Sequence, residues 1–208
     1  MQESVFTIGH SSHELEDFIS LLKMHNITAV ADVRSAPYSQ TYARFSREVL
    51  KRALADFGIT YVFLGEELGA RSGDPSCYEN GKIKYDRLAR TELFQRGLER
   101  VMHGTRKFRV ALMCAEKEPL ECHRTILVAK HLVARGVIVK HILADGKLEN
   151  HSDTLKRLTR MLGLKDGHMF RSREEMIADA YALQEEHIAY AEVPPGAEYP
   201  AQAGSSHR

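Results

Sequence analysis

The stretch 109-RVALMCAEKEPLECHRTILVAKHL-132 holds two apolar runs separated by a charged loop. The first run belongs to residues 108–114 and predicts a strand, and the second, at 125–135, predicts a helix that Gly136 ends. Another short apolar run follows at 137–143 and predicts the next strand. Near-continuously apolar strands separated by helices are typical of a parallel sheet covered on both faces. This stretch therefore indicates an α/β fold.

The same alternation of strand and helix extends along the first 165 residues. Apolar segments predict further strands at 5–9, 27–34 and 59–65. Helical patterns lie between or after the strands, at 10–26, 46–57, 85–103 and 151–163. We therefore expect an open, doubly wound, mainly parallel sheet of about five strands with helices on both faces, followed by a C-terminal helical extension.

The chain divides into a single α/β domain at 1–165, a helical extension at 166–190 and a tail at 191–208. Ser172 and Glu175 have the spacing of a capping box, which predicts where the helix of the extension begins. The tail holds three of the six prolines in the chain and is therefore expected to be disordered.

The charge balance and the cysteine count exclude several classes of protein. Lys and Arg number 29 and Asp and Glu 28, so the net charge of +1 gives no overall attraction to nucleic acid or to an anionic membrane. No apolar run reaches the roughly 18 residues of a membrane span, and the N-terminus lacks the pattern of a signal peptide. Three cysteines do not suggest a disulfide scaffold. We expect a cytoplasmic protein that does not bind a membrane.

Polar and reactive side chains follow each predicted strand at its carboxyl end, where open parallel sheets bind their ligands. The candidate catalytic residues are Cys122, Cys114, His10, His123 and Glu116. The candidate substrate-binding residues are Ser11, Asp32, Arg34, Arg44, Glu67 and Arg124. A long loop at 66–82 follows the third strand, and loops of more than about 12–15 residues are often functional.

The leading hypothesis is an enzyme that uses a reactive cysteine on a small anionic substrate, phosphorylated or nucleotide-like. Cys122 stands near a predicted helix N-terminus, where the helix dipole, free N–H groups and Arg124 favour a thiolate. Cys122 would act as nucleophile or redox thiol, Cys114 as its resolving partner, and His10 or His123 as the base. The choice between transfer, hydrolysis and redox chemistry stays open, and so does the cofactor.

Two other classes of protein remain as alternatives. Cys114, Cys122 and one of His10 or His123 offer ligands for zinc or iron, although the spacing of the cysteines is not that of a zinc knuckle and the preferred assignment has no metal. The basic and aromatic segment 34–56 suits a nucleic-acid-binding module, which the near-neutral net charge disfavours. A free cysteine that ends an apolar strand, as Cys114 does, is also often a buried apolar residue.

Five motifs resemble those of a known family. They are TIGHS at 7–11, DVRSAPYS at 32–39, GEELGAR at 65–71, CAEKEPLECHR at 114–124 and HILADGK at 141–147. Together they resemble the family catalogued as domain of unknown function 488, over residues 5–147. The resemblance implies an α/β fold and a role for both cysteines, but no particular activity. Its signature residues are His10, Ser11, Asp32, Arg34, Cys114, Glu116, Cys122, His123 and Arg124. The basic residue that often follows the Pro-Tyr pair in this family is displaced here to Arg44.

Overall fold

The computed structural model describes residues 3–38, 41–164 and 172–191. Its centre is a six-stranded sheet, and a separate two-stranded hairpin lies beside it. The strands are β1 (Ser4–Gly9), β2 (Ala29–Asp32), β3 (Thr60–Phe63), β4 (Tyr78–Glu79), β5 (Lys82–Ile83), β6 (Val110–Cys114), β7 (Ile138–Ile142) and β8 (Leu148–Asn150). The order in the main sheet is β3-β2-β6-β1-β7-β8, and β4 pairs with β5 in the hairpin.

Helices cover the sheet on both faces, so that an apolar core lies on each side of it. The helices are α1 (Leu15–Met24), α2 (Arg47–Ala55), α3 (Gly65–Leu68), α4 (Tyr85–Arg90), α5 (Glu92–Thr105), α6 (Lys130–Val133), α7 (His151–Met161) and α8 (Arg173–Ile188). A π-helical turn, Arg124–Ala129, leads directly into α6. Among the described residues, no helix combines the length and apolar character that crossing a bilayer requires.

The predicted α/β class and the mainly parallel sheet are confirmed. All five predicted strands are present, and β1, β2, β3, β6 and β7 pair with one another in parallel. The sixth strand, β8, is antiparallel to β7. β8 was not among the predicted strands, because its three residues, Leu148–Asn150, are mostly polar and form no apolar run.

Several element boundaries differ from the prediction. The single helix expected at 85–103 is two helices, because Thr91 has an extended backbone and its side chain caps α5 by accepting from the N–H of Phe94. Ser46 occupies the N-cap position of α2 but makes no capping hydrogen bond with its side chain. The long loop at 66–82 contains the end of α3 and most of the β4–β5 hairpin.

The described part of the C-terminal extension is the helix α8. Its predicted capping box is present, since Ser172 and Glu175 each accept a hydrogen bond from the backbone N–H of the other. The helix packs on the domain through Met176, Ala180, Tyr181 and Gln184. Residues 165–171 and all of the predicted tail 191–208 except Ala191 lie outside the described residues, and Ala191 forms an isolated bridge with Lys82.

The close approach of β1 to the loop after β6 places the chemistry at the carboxyl edge of the sheet. Gly9, the last residue of β1, pairs with Cys114, the last residue of β6. A Cβ atom on Gly9 would lie 1.9 Å from the carbonyl oxygen of Glu116, so the loop passes over the strand end only because this residue is glycine. The backbone N–H of Ser11 then donates to the carbonyl of Ala115.

Candidate functional site

Two cysteines and a histidine meet at the carboxyl edge of the sheet. Cys114 ends β6, and Cys122 and His123 stand just before the π-helical turn. The sulfur atoms and one ring nitrogen of His123 all lie within 4.8 Å of one another. His123 Nδ1 is 3.7 Å from Cys114 Sγ and 3.9 Å from Cys122 Sγ. We call these three buried residues the Cys2His site.

A backbone carbonyl orients the imidazole of His123. The ring nitrogen Nε2 lies 3.0 Å from the carbonyl oxygen of Val33. Because a carbonyl oxygen can only accept a hydrogen bond, Nε2 must carry a hydrogen and donate the bond. The other nitrogen, Nδ1, therefore presents its lone pair to the two sulfur atoms when the ring is neutral. A metal-binding histidine is commonly held in this way.

Arg124 holds the loop that joins the two cysteines. The side chain is fully buried, Nη1 donates to the carbonyl of Glu116 at 2.6 Å and Nη2 to the carbonyl of Lys117 at 3.2 Å. The backbone N–H of Arg124 also points at Cys122 Sγ, 3.4 Å away. Both Nη atoms of Arg124, a predicted substrate-binding residue, therefore donate to backbone carbonyls of this loop.

Glu116 lies on the solvent-exposed side of the site and contacts Cys122. Its Oε2 atom lies 2.8 Å from Cys122 Sγ, and the two groups share a hydrogen bond. Burial of the carboxylate and the adjacent Cys122 raise the pKa of Glu116. Glu116, predicted as a catalytic residue, is therefore in contact with the Cys2His site.

The pKa values of the two buried thiols are shifted in opposite directions, because their hydrogen bonds and neighbouring charges differ. Burial and the hydrogen bond with Cys122 raise the pKa of Cys114 well above its usual value. Burial also acts against ionisation of Cys122, but the hydrogen bond from Cys114 and the positive charges of Arg124 and His123 outweigh it and hold the pKa of Cys122 well below its usual value. Two thiols and a carboxyl group this close cannot all ionise without a compensating cation.

A second cluster, next to the first, is built on a buried ion pair. Arg34 donates from Nε and Nη2 to the two carboxylate oxygens of Asp32, at 2.9 Å and 2.7 Å. Its Nη1 donates to His10 Nε2 at 3.1 Å, and His10 Nδ1 donates to the carbonyl of Ser11 at 3.0 Å. Burial, with a contribution from Arg34, lowers the pKa of His10 to about 4. Both ring nitrogens of His10 are thus engaged, and the charge of Arg34 is paired.

Two other predicted site residues, Arg44 and Glu67, have their partners outside the Cys2His site. Arg44 donates to the carbonyls of Ser12 and His13 and so braces the loop after β1. Glu67, on α3, forms an ion pair with Arg100 of α5. The structure brings Cys114, Glu116, Cys122 and His123 into one site, and it places the Asp32–Arg34–His10 cluster beside them.

A cleft of about 350 Å³ opens onto this site. Cys114, Glu116 and His123 line it, and so do Arg71, Tyr85, Ile188 and Tyr190, none of which is among the predicted site residues. Arg71 lies in the GEELGAR motif and in the long loop, so a signal for it was present. No pattern in the sequence indicates that Ile188 and Tyr190, at the end of α8 and just after it, return to the edge of the sheet.

The fold and the site define an α/β protein with a buried Cys2His site at the carboxyl edge of a parallel sheet. The family model described as Domain of unknown function DUF488 matches residues 14–131, which is more than half of the chain. The chain belongs to this family. The matched range contains Cys114, Glu116, Cys122 and His123, but neither His10 nor α8. Searches of the curated proteins and of the solved structures found no match.

Proposed function

We propose that the Cys2His site binds a soft divalent cation, zinc in the first place, and that the protein uses this site on a small anionic substrate in the cleft. The geometry of the donor atoms carries the proposal. In a tetrahedral zinc site a sulfur ligand and an imidazole nitrogen are about 3.6 Å apart, given zinc bonds of about 2.3 Å and 2.0–2.1 Å. The two sulfur-to-nitrogen distances of 3.7 Å and 3.9 Å are close to that value.

The donor chemistry supports the same proposal. Thiolate and imidazole ligands suit zinc and other soft or borderline cations, and the carbonyl of Val33 supplies the second contact that fixes His123. A divalent cation would also compensate the charge of Cys114, Cys122 and Glu116, which are crowded together. The prediction from the sequence was a site without a metal, because the spacing of the two cysteines is not that of a zinc knuckle.

The open side of the Cys2His site supports a catalytic centre more than a purely structural one. Structural zinc sites are closed by four protein ligands, whereas catalytic sites use three and leave one position for water or substrate. Cys114 and His123 both line the cleft, so the fourth position would face it. A cation there would supply Lewis acidity and a lowered pKa of bound water. Glu116, at the same opening, is placed to accept a proton.

Metal-free thiol chemistry at Cys122 is the second candidate. The N–H of Arg124 that points at Cys122 Sγ and the adjacent imidazole favour a thiolate. Against this candidate, Cys122 is only 1% exposed, and a nucleophile has to reach its substrate.

Elemental analysis and a free-thiol count on protein purified with zinc under reducing conditions distinguish the two candidates. We expect one metal ion per chain in the wild type and its loss in Cys114→Ser, Cys122→Ser and His123→Ala. Cys77→Ser is the matched control, since Cys77 is equally buried but lies outside the site, and it should keep the metal. A metal-free wild type that also fails to bind added zinc, with one fast-reacting thiol lost in Cys122→Ser, would contradict the metal site and favour thiol chemistry.

A further inference from the structure

The segment 184–191, here called the C-terminal strap, joins the two parts of the chain that border the cleft. Gln184 Nε2 donates to the carbonyl of Leu120, in the loop between the site cysteines, at 2.9 Å. The backbone N–H of Ile83 donates to the carbonyl of Tyr190 at 2.9 Å, and Lys82 bridges to Ala191. The strap is thus bound both to the cysteine loop and to the β4–β5 hairpin, and it forms one wall of the cleft.

Tyr190 of the strap holds the guanidinium of Arg71. The guanidinium carbon of Arg71 lies 4.1 Å from the centroid of the Tyr190 ring, which is a cation–π contact. The backbone N–H of Arg71 donates to Ser35 Oγ at 3.1 Å, which fixes the base of the side chain. A guanidinium stacked on a ring keeps the N–H groups at its edge free, and these form the two parallel hydrogen bonds that carboxylates and phosphates accept.

The positive charge of Arg71 is available to a ligand, whereas that of Arg34, which lines the same cleft, is already paired. The guanidinium of Arg34 already donates hydrogen bonds to Asp32, to His10 and to the carbonyl of Phe45. Within residues 3–38, 41–164 and 172–191, no carboxylate lies within ion-pair distance of Arg71.

We propose that Arg71 and Tyr190 form the subsite that recognises the anionic group of the substrate, a carboxylate or a phosphate. The strap, which lies outside the matched family range, would then determine which substrate this member of the family accepts. This inference rests on the proposed function only for the reacting end of the substrate, at the Cys2His site. The cleft of about 350 Å³ lies near the lower end of ligand pockets, so the substrate is a small metabolite.

Titration of the full-length protein with inorganic phosphate and, separately, with acetate tests the subsite. Nuclear magnetic resonance of the arginine Nε–Hε groups and the backbone amides gives the affinity, in zinc-loaded and in chelator-treated protein. We expect saturable binding of at least one of the two anions, with shifts at Arg71, in both preparations. Affinity should fall at least tenfold in Arg71→Gln and severalfold in Tyr190→Leu. The matched control Arg106→Gln removes an exposed arginine that lies before β6, at the opposite edge of the sheet, and should bind as the wild type does.

The outcomes separate this inference from the proposed metal site. Equal affinities in the wild type and Arg71→Gln, or no saturable binding of either anion, would overturn the subsite, whatever the metal content. Binding that depends on Arg71 in protein that takes up no zinc would support the subsite and contradict the metal site. Preference for phosphate or for acetate identifies which anionic group the subsite accepts.

Discussion

Lowering the pH from 7 to 5 is expected to weaken the attachment of α8, because a buried chain of hydrogen bonds joins it to the sheet. Thr7 Oγ1 lies 2.8 Å from His141 Nδ1, and His141 Nε2 lies 3.0 Å from His151 Nδ1. His151 Nε2 lies 2.7 Å from the hydroxyl of Tyr181 on α8. A single proton occupies the gap between the two rings, and a second would set two N–H groups against each other. The hydrogen bonds can therefore survive one protonated ring, if the hydroxyl groups reorient to accept, but not two. The first proton is disfavoured because it places a charge on a buried imidazole.

The size of the effect follows from the pKa of His151, which burial lowers from 6.5 to about 4. Burial, together with His151, Arg124 and Arg157, also lowers the pKa of His141. The unfolded chain takes up a proton near pH 6.5, but the folded chain resists it until about pH 4, so stability is full above pH 6.5 and is lost as the pH falls. For His151 alone this loss is about 2 kcal/mol between pH 7 and pH 5.

Urea unfolding at pH 7 and pH 5 measures this loss. The wild type should lose about 2 kcal/mol more between the two pH values than His151→Gln does. His103→Gln removes an exposed histidine of α5 and should lose as much as the wild type. Tyr181→Phe, which leaves His151 without its partner on α8, should cost about 1–3 kcal/mol at pH 7. Equal pH-dependent losses in the wild type and His151→Gln would refute the reasoning.

Two further predictions concern the residues that support the site. Gly9→Ala places a Cβ 1.9 Å from the carbonyl oxygen of Glu116, so the loop must shift. We expect a lower midpoint of thermal unfolding together with weaker zinc binding. Unchanged values of both would contradict the close approach of the loop to the strand. Asp32→Asn leaves the buried guanidinium of Arg34 without its counter-charge and should cost about 3–5 kcal/mol in urea unfolding. A loss below about 1 kcal/mol would show that the pair is solvated in solution.

The pattern of the sequence predicted the sheet because its strands are nearly uniformly apolar. Segments such as Val110–Cys114 are buried along their whole length, and short apolar runs of this kind are typical of strands in a sheet covered on both faces. Parallel strands also bring their carboxyl ends to one edge, which is why Cys114, Cys122 and His123 were all among the candidate residues; the structure places these three side chains together. The polar strand β8 and the second helix cap at Thr91 gave no comparable signal.

The contacts inside the site could not be predicted, because they depend on how a loop folds back. The spacing of Cys114 and Cys122 permits contact without requiring it. In the structure, Arg124 donates hydrogen bonds to two carbonyls of the intervening loop, which holds the two cysteines near each other. The preferred assignment without a metal followed from the spacing alone. Tyr190 enters the cleft through the docking of the strap, which depends on tertiary hydrogen bonds such as that between Ile83 and Tyr190.

X-ray absorption at the zinc edge, on protein loaded with one equivalent of zinc, tests the central claim most directly. The Cys2His site predicts two sulfur atoms at about 2.3 Å and one imidazole nitrogen at about 2.0 Å, with oxygen or nitrogen completing the shell. In Cys122→Ser one of the two sulfur contributions should disappear. A shell without sulfur, a shell with three sulfur atoms, or an unchanged shell in Cys122→Ser would contradict the account.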